Sequence, residues 1–341
     1  MLRLATKIKI NKYVFTGCIH GSIRKSYTTF TNTAEIELPN IVYKKTNKNV
    51  GQAPETIDTL IKRGDPVWIY CGYDKPFDEL PLRFTGFVSG IDADQRIMIK
   101  CEDYSYVLKQ INIKSKLLKN TTIKELIDHS LSGVNINIRY DIPSATKIGD
   151  FKISNSNYLN VMHVLDELKE KFGITSYFEG KTLIVGKFID INATEITILF
   201  QASVIEDNLQ YRKDDDLSQV VKGVSILPNN DKIVRYAYKE LGVVKTTINA
   251  VKGEQITLNY YNLTAAQLED TIKNNFANYV YTGYHGSFET FLDPVIEPLN
   301  KIKLFNLRFP ERNGKYKIRG VETTFGIDGG RQNVELDYRL S

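Results

Sequence analysis

RGDPVWIYCGYDKPFDELPLRFTGFVSGIDADQRIMIKCEDYSYVLKQ, residues 63–110, is the stretch from which the fold is read. Gly64-Asp65-Pro66 is a turn signal, and an apolar strand follows from Val67 to Cys71. A polar loop of Gly, Asp and Pro separates it from a second strand, Arg83 to Ile91. Asp92-Ala93-Asp94 turns the chain into a third strand, Ile97 to Cys101, which leads into a helix-like run from Tyr104 to Gln110. The product is a compact antiparallel meander closed by a helix. Nothing in it is recognisable chemistry, so it points to a structural part.

Upstream, Lys7 to Phe15 alternates as a half-buried strand does. Thr31 to Leu38 alternates again, with Ala34, Ile36 and Leu38 on one face, and Pro39 stops it. Residues 44–62 read as a long polar loop with a short helix at Glu55 to Ile61. Downstream the pattern changes. Thr122 and Glu125 form a capping box for a helix that Gly133 ends. A stronger helix runs from Asn157 to Phe172, with Gly173 as its stop. Residues 174–185 then read as a hairpin about Glu179-Gly180.

The last 150 residues return to strands: Val220 to Leu227, Ile233 to Tyr238, Val243 to Val251 and Gln255 to Tyr261. One helix interrupts them, capped by Thr264 with Gln267 and stapled by Leu263 on Leu268. Lys301 to Phe309, Lys315 to Phe325 and Gln332 to Leu340 close the chain. The expected class is therefore α+β and β-rich. Its expected domains are 1–115 (β), 116–190 (small α+β) and 191–341 (β with one inserted helix).

Composition fits this class and excludes others. The chain has 341 residues, enough for two or three cores, with 42% hydrophobic and 25% charged residues. Its 20 Tyr and 16 Phe suit strands and interfaces alike. A net charge of +5 is too mild to argue for nucleic acid. Arg3, Lys7, Lys9 and Lys12, and Lys114, Lys116 and Lys119, read as solvated basic clusters. The three cysteines, Cys18, Cys71 and Cys101, give no disulfide framework and no metal spacing. Cys71 and Cys101 read as core residues. The start of the chain lacks a signal-peptide core, and no run is long enough to span a bilayer. Synthesis in the cytoplasm without a signal peptide is therefore expected.

No catalytic, cofactor-binding or metal-binding residue is expected. His20, His129, His163 and His285 are scattered, and a lone histidine cannot hold a metal. Asp214-Asp215-Asp216 reads as a solvated loop, and Asp92-Ala93-Asp94 lacks the glycine and closing glutamate of a calcium loop. P-loop, dinucleotide and nucleophile-elbow motifs are absent. Three glycosylation sequons, at Asn120, Asn192 and Asn262, matter only in a secretory pathway. The best aromatic site for a glycan or a single-stranded nucleic acid is Tyr279-Val280-Tyr281 with Tyr284 and His285. A cell-wall hydrolase is the remaining alternative; the 40 acidic residues offer many carboxylate pairs and so neither support nor exclude one.

The opening stretch resembles the baseplate hub proteins of phage tails, the late control protein D family. The same fold forms the N-terminal part of type VI secretion spike proteins and the hubs of other contractile injection systems. The similar residues begin with Phe30, Asn32, Thr33, Ala34, Ile36, Leu38 and Pro39, then Gly64 to Ile69 and Gly72-Tyr73. Arg83 to Val88 follow, then Cys101-Glu102-Asp103-Tyr104 and Leu108-Lys109-Gln110. The ending is similar too, from Gly314 to Ile318, Val321 to Thr323 and Gly329-Gly330.

The resemblance implies two antiparallel tail-tube-like β-barrel domains with a small α+β domain between them. It implies a homotrimeric ring whose six barrels adapt a sixfold tail tube to a threefold spike. It implies a non-enzymatic structural role in a virion tail baseplate or an injection particle. Implied partners are the tail tube or tube-initiator protein, baseplate wedge proteins and the spike, with passage of DNA through the channel. No spike domain follows the last strand here, so the spike is expected to be a separate protein. Loops 44–62 and 74–82 are expected to make the contacts with other subunits.

Overall fold

The opening meander forms as its sequence predicts. Strand Pro66–Tyr73 pairs antiparallel with Leu82–Ala93, which pairs with Ile97–Glu102. Alternation puts Val67, Ile69, Cys71, Ile97, Ile99 and Cys101 on the buried face. Gly86 lets the second and third strands approach: a Cβ there would stand 2.1 Å from the Glu102 carbonyl oxygen. The second strand runs past its predicted end, so Asp92 pairs across from Met98 rather than opening a turn. Helix Ser105–Leu108 closes the unit. These coordinates come from a computed structural model that describes residues 3–340, apart from 40, 43–54, 94–95, 155–159, 187–192, 214–218, 228, 230, 239–241 and 245–253.

Lys7 to Phe15, expected as one strand, is a hairpin of Leu4–Ile10 and Tyr13–Phe15. Asn11 makes the corner at φ +52°, a conformation that asparagine tolerates better than most residues. The first strand pairs with the meander through Pro66–Tyr73, and Thr33–Leu38 pairs with it through Ile97–Glu102. The expected short helix in 55–61 is reduced to Ile57–Leu60, entered from a two-residue strand, Glu55–Thr56.

The two ends of the chain share one sheet. Strand Gly314–Gly326 pairs with Gly329–Arg339 on one side and with His20–Ser26 on the other. A 13-stranded sheet results, running from Val204–Asp207 at one edge to Tyr13–Phe15 at the other. Among the described residues it does not close, because each of these edge strands pairs on one side alone. The expected β-rich α+β class stands, whereas two separate closed barrels are not what this sheet forms. Two hydrophobic cores nevertheless lie along it. One gathers Ile8, Ile36, Ile69 and Ile99 with Phe325 and Leu292 from the far end of the chain. The other gathers Phe288, Ile302, Tyr316, Ile318 and Val334.

Between them the small α+β region builds its own core. Thr122 caps helix Ile123–Ser130, with Glu125 bonding back to the Thr122 amide. The second helix, Val161–Phe172, is capped by Asn160, so it starts later than the sequence periodicity predicts. Gly173 ends it at φ +62°. Thr175–Glu179 and Thr182–Gly186 make the expected hairpin, and Asn137–Asp141 adds a parallel strand.

A second α+β unit sits inside the last third. Gln219–Ile226 pairs with Lys232–Tyr238 as expected, but Glu254–Tyr261 pairs parallel to Gln219–Ile226. A parallel neighbour needs a crossover connection, and the turn expected between Val243–Val251 and Gln255–Tyr261 lies outside the described residues. Helix Ala265–Tyr279 covers one face through Leu268 and Ile272. The opposite face packs Val224, Ile226 and Tyr261 into the core of the first α+β region. The Tyr261 hydroxyl donates across that boundary to the Phe172 carbonyl. One sheet therefore has a helix on one face and its neighbour on the other, which explains its apolar residues on both sides.

Candidate functional site

Three polar joints, two buried and one half-buried, tie distant parts of the chain, and Asn32, Tyr73, Arg83, Asp103 and Gly330 among their residues carry the sequence resemblance. The first is Asn32 with Asp103. Alternation brings the start of Thr33–Leu38 beside the end of Ile97–Glu102, so each residue flanks a paired strand end. The Asn32 amide donates to Asp103 Oδ2 at 3.0 Å, and the Asp103 amide donates to the Asn32 carbonyl at 3.0 Å. Asp103 Oδ1 also accepts from the Ser105 amide at the start of its helix. Asn32 Nδ2 reaches the Phe178 carbonyl in the α+β region at 3.3 Å. Burial pushes the Asp103 carboxyl up to about 6, against the pull of its hydrogen bonds from Ser105 and Asn32.

The second joint is Arg83 with Gln332, which are 2% and 0% exposed. Arg83 donates to the Cys71 carbonyl, to Gln332 Oε1 at 3.1 Å and to the Leu292 carbonyl at 2.5 Å. Gln332 Nε2 donates to the Phe291 and Pro294 carbonyls, and its Oε1 also accepts from the Ile296 amide. A side chain of the opening meander is thus bonded into segment 291–296 near the end of the chain. The third joint is Tyr73. Its hydroxyl donates to the Gly330 carbonyl at 2.7 Å and accepts from the Gly330 amide at 2.8 Å.

Beside these joints Lys317 lies buried on the long strand, its ammonium 4.5 Å from the Tyr27 ring and 5.1 Å from the Tyr338 ring. Desolvation pushes it down to about 8, partly offset by Asp337 and Asp141. A cavity of about 530 Å³ opens between residues 82–85, the hairpin about Glu179-Gly180 and segment 295–300. Its charges are engaged: Lys25 pairs with Glu297 at 2.7 Å, and Arg139 with Glu179 at 3.3 Å. The arrangement fixes distant segments in one geometry, and its polar groups are turned towards each other rather than towards an open reaction space.

The residues singled out from sequence are not brought together. His129 faces the Lys114 carbonyl, and His163 serves the N-terminus of its helix through Asn160. His20 is exposed, and His285 stacks on Tyr281 at 4.5 Å, where burial lowers its affinity for a proton. No cluster of three or more His, Cys, Asp or Glu forms among the described residues. Asp214 to Asp216 and Asn192 lie outside those residues, as do positions 44–54 of the long loop. Cys71 and Cys101 are buried as expected, and burial pushes the Cys71 thiol up to about 11.

The aromatic platform proposed for a glycan or nucleic acid is a correction. Tyr281 and Tyr284 are 8% and 4% exposed and belong to the second core with Tyr316. Sequence reading missed the three joints, although Asn32, Tyr73, Arg83, Asp103 and Gly330 had all been marked as similar to the hub family. Gln332 carried no signal, because one glutamine in an alternating strand reads as an outward residue. No helix among the described residues is long and apolar enough to cross a membrane.

No family model and no curated protein matches the chain. Solved structures do. The 43 kDa tail protein of prophage MuSo2 from Shewanella oneidensis aligns at a TM-score of 0.59 and 11% identity, over 98% of this chain and 97% of its own. The tail protein from Neisseria meningitidis MC58 aligns at 0.61 and 10% identity, over 98% and 96%. An Escherichia coli component of the type VI secretion system, described as structurally similar to T4 tail proteins gp27 and gp5, aligns at 0.57 and 10% identity, over 97% and 76%. The fold is therefore that of phage tail proteins and of hub-like proteins of type VI secretion. The resemblance read from the sequence holds at the level of fold.

Proposed function

We propose that the chain is a structural hub subunit of a phage tail or a related contractile injection system. The observation that carries this reading is the end-to-end match to two tail proteins, over nearly all of both chains. The three joints support it. They use buried and half-buried polar groups to fix the relation between distant segments, as a part that transmits load requires. The role is structural, without a catalytic centre, cofactor or metal.

In this reading three copies form a ring around a channel. Residues 1–115 and 191–341 each contribute one tube-like unit, and 116–190 sits between them. The two cores along the large sheet support such a pairing, with one under each half. The ring would join a sixfold tail tube or tube-initiator protein to a separate threefold spike, with wedge proteins outside and DNA passing through. Its place is the baseplate of the virion tail or the injection particle. Electron-microscopy class averages of the purified protein test this. Threefold rings are expected, and a population of single particles without rings would refute it.

A further inference from the structure

Two exposed apolar loops of opposite net charge lie towards opposite ends of strand Gly314–Gly326. The first follows strand Lys301–Phe305. Phe305, Leu307 and Phe309 are 37%, 60% and 36% exposed, three of the nine large apolar side chains so exposed among the described residues. Scattered exposed apolar residues are ordinary. These three fall within five positions, on a loop that is locked from beneath. Asn306, 4% exposed, accepts at Oδ1 from the amides of Arg308 and Phe309, both at 3.0 Å. Its amide donates to Asn313 at 2.7 Å. Gln201 bonds both Asn306 and the Leu307 amide. A loop held this firmly loses little freedom on binding, so its apolar surface is preorganised for contact. Arg308 and Arg312 lie 5.5 and 4.3 Å from the Phe309 ring, against one acid, Glu311.

The second loop is Asp74 to Leu82. Phe77 and Leu82 are 38% and 46% exposed. They stand among three carboxylates, Asp74, Asp78 and Glu79, against one lysine. Lys75 is paired with Asp293 and Lys7 with Asp78 at 3.3 Å, which leaves Glu79 as the carboxylate open to a partner. Buried Leu80 anchors the loop from within.

The two loops cannot meet within one chain. The Arg-bearing loop adjoins Gly314, the first residue of strand Gly314–Gly326. The acidic loop leaves Tyr73, which bonds Gly330 beyond the other end of that strand. Thirteen residues of strand separate the ends by roughly 40 Å. We infer that the 305–312 loop docks on the 74–82 loop of a second copy of this chain. Apolar surface meets apolar surface, and Arg308 faces Glu79, since Arg312 is paired with Glu311 and Asp78 with Lys7. The contact is heterologous, so repetition closes a ring where the rotation permits. This inference rests on the ring reading and names its contact. The free sheet edges are poorer candidates: Tyr13–Phe15 has three residues beside Lys9 and Lys12, and Val204–Asp207 is short and bulged. Such features blunt an edge against pairing.

Sedimentation velocity of the full chain over a concentration series at low salt tests the contact. Wild type is expected to associate. Leu307→Glu and Arg308→Glu should each raise the association midpoint at least tenfold, with unchanged thermal unfolding because both side chains are exposed. Adding Glu79→Arg to Arg308→Glu should restore most of the loss. If wild type associates and neither single variant shifts the midpoint, the docking contact is wrong and the ring survives. If Arg308→Glu weakens association but Glu79→Arg does not restore it, the acidic partner loop is wrong. A wild-type chain that remains monomeric at every concentration refutes the ring and this contact together. Should Leu307→Glu fail to fold, the charge-reversal pair decides alone.

Discussion

Replacing Gln332 by Met would remove the centre of the second joint while keeping its volume. Gln332 is fully buried and makes four hydrogen bonds. The substitution orphans the Phe291 and Pro294 carbonyls and the Ile296 amide, and removes one of three acceptors from Arg83. A buried polar group left unpaired costs about 1–3 kcal/mol, so three such losses in the lower half of that range come to about 4 kcal/mol, Pro294 being exposed and able to bond water. Methionine is cheaper to desolvate than an amide, which returns about 1 kcal/mol. The expected net loss is about 3 kcal/mol, a large share of a typical stability of about 5–15 kcal/mol. Urea unfolding followed by the fluorescence of the single tryptophan, Trp68, reads it, with Gln255→Met on an exposed strand position as the control. The control should change stability by less than about 0.5 kcal/mol. If Gln332→Met costs no more than Gln255→Met, the joint does not hold the two ends together and the reasoning fails.

Three further predictions follow the same geometry. Asp103 has a folded value of about 6 against an ordinary 3.8, so the native state keeps a proton that the unfolded chain releases. Its contribution is therefore lost as pH rises between these values, by about 3 kcal/mol at about 1.4 per unit; unfolding of wild type and Asp103→Asn compared between pH 4 and 7 should show this slope in wild type alone. Lys317 has the opposite sign: lowered from 10.5 to about 8, it strains the native state below pH 8 and stops doing so as pH rises to 10.5. Lys317→Met should be more stable than wild type at pH 7, and equal stabilities there would count against a desolvated ammonium. Gly86→Ala would drive a Cβ into the Glu102 backbone and should cost about 1–3 kcal/mol as overpacking; a thermal midpoint equal to wild type would show that the strands are not so close.

Much of the fold was legible because local signals agreed with the tertiary result. The alternation of Ala34, Ile36 and Leu38, the Thr122 and Thr264 caps and the Gly173 stop all needed nothing beyond their neighbours. The shared sheet was not legible. Pairing of His20–Ser26 with Gly320–Gly326 joins residues some 300 positions apart, and no local pattern records which edge meets which. The parallel pairing of Glu254–Tyr261 with Gln219–Ile226 was not legible for the same reason, since the paired residues lie 35 positions apart. At the site, Asn32, Arg83 and Asp103 were visible as a pattern but their contacts were not. Tyr281 and Tyr284 misled because aromatic density is the same in a core and on a binding face.

The mass of the assembled particle tests the central claim most directly. Light scattering on the purified chain, coupled to size exclusion at low salt, should give three times 38.9 kDa, and the same fraction should show threefold rings by electron microscopy. A single 38.9 kDa species at every concentration, with no ring in any image class, would contradict the account.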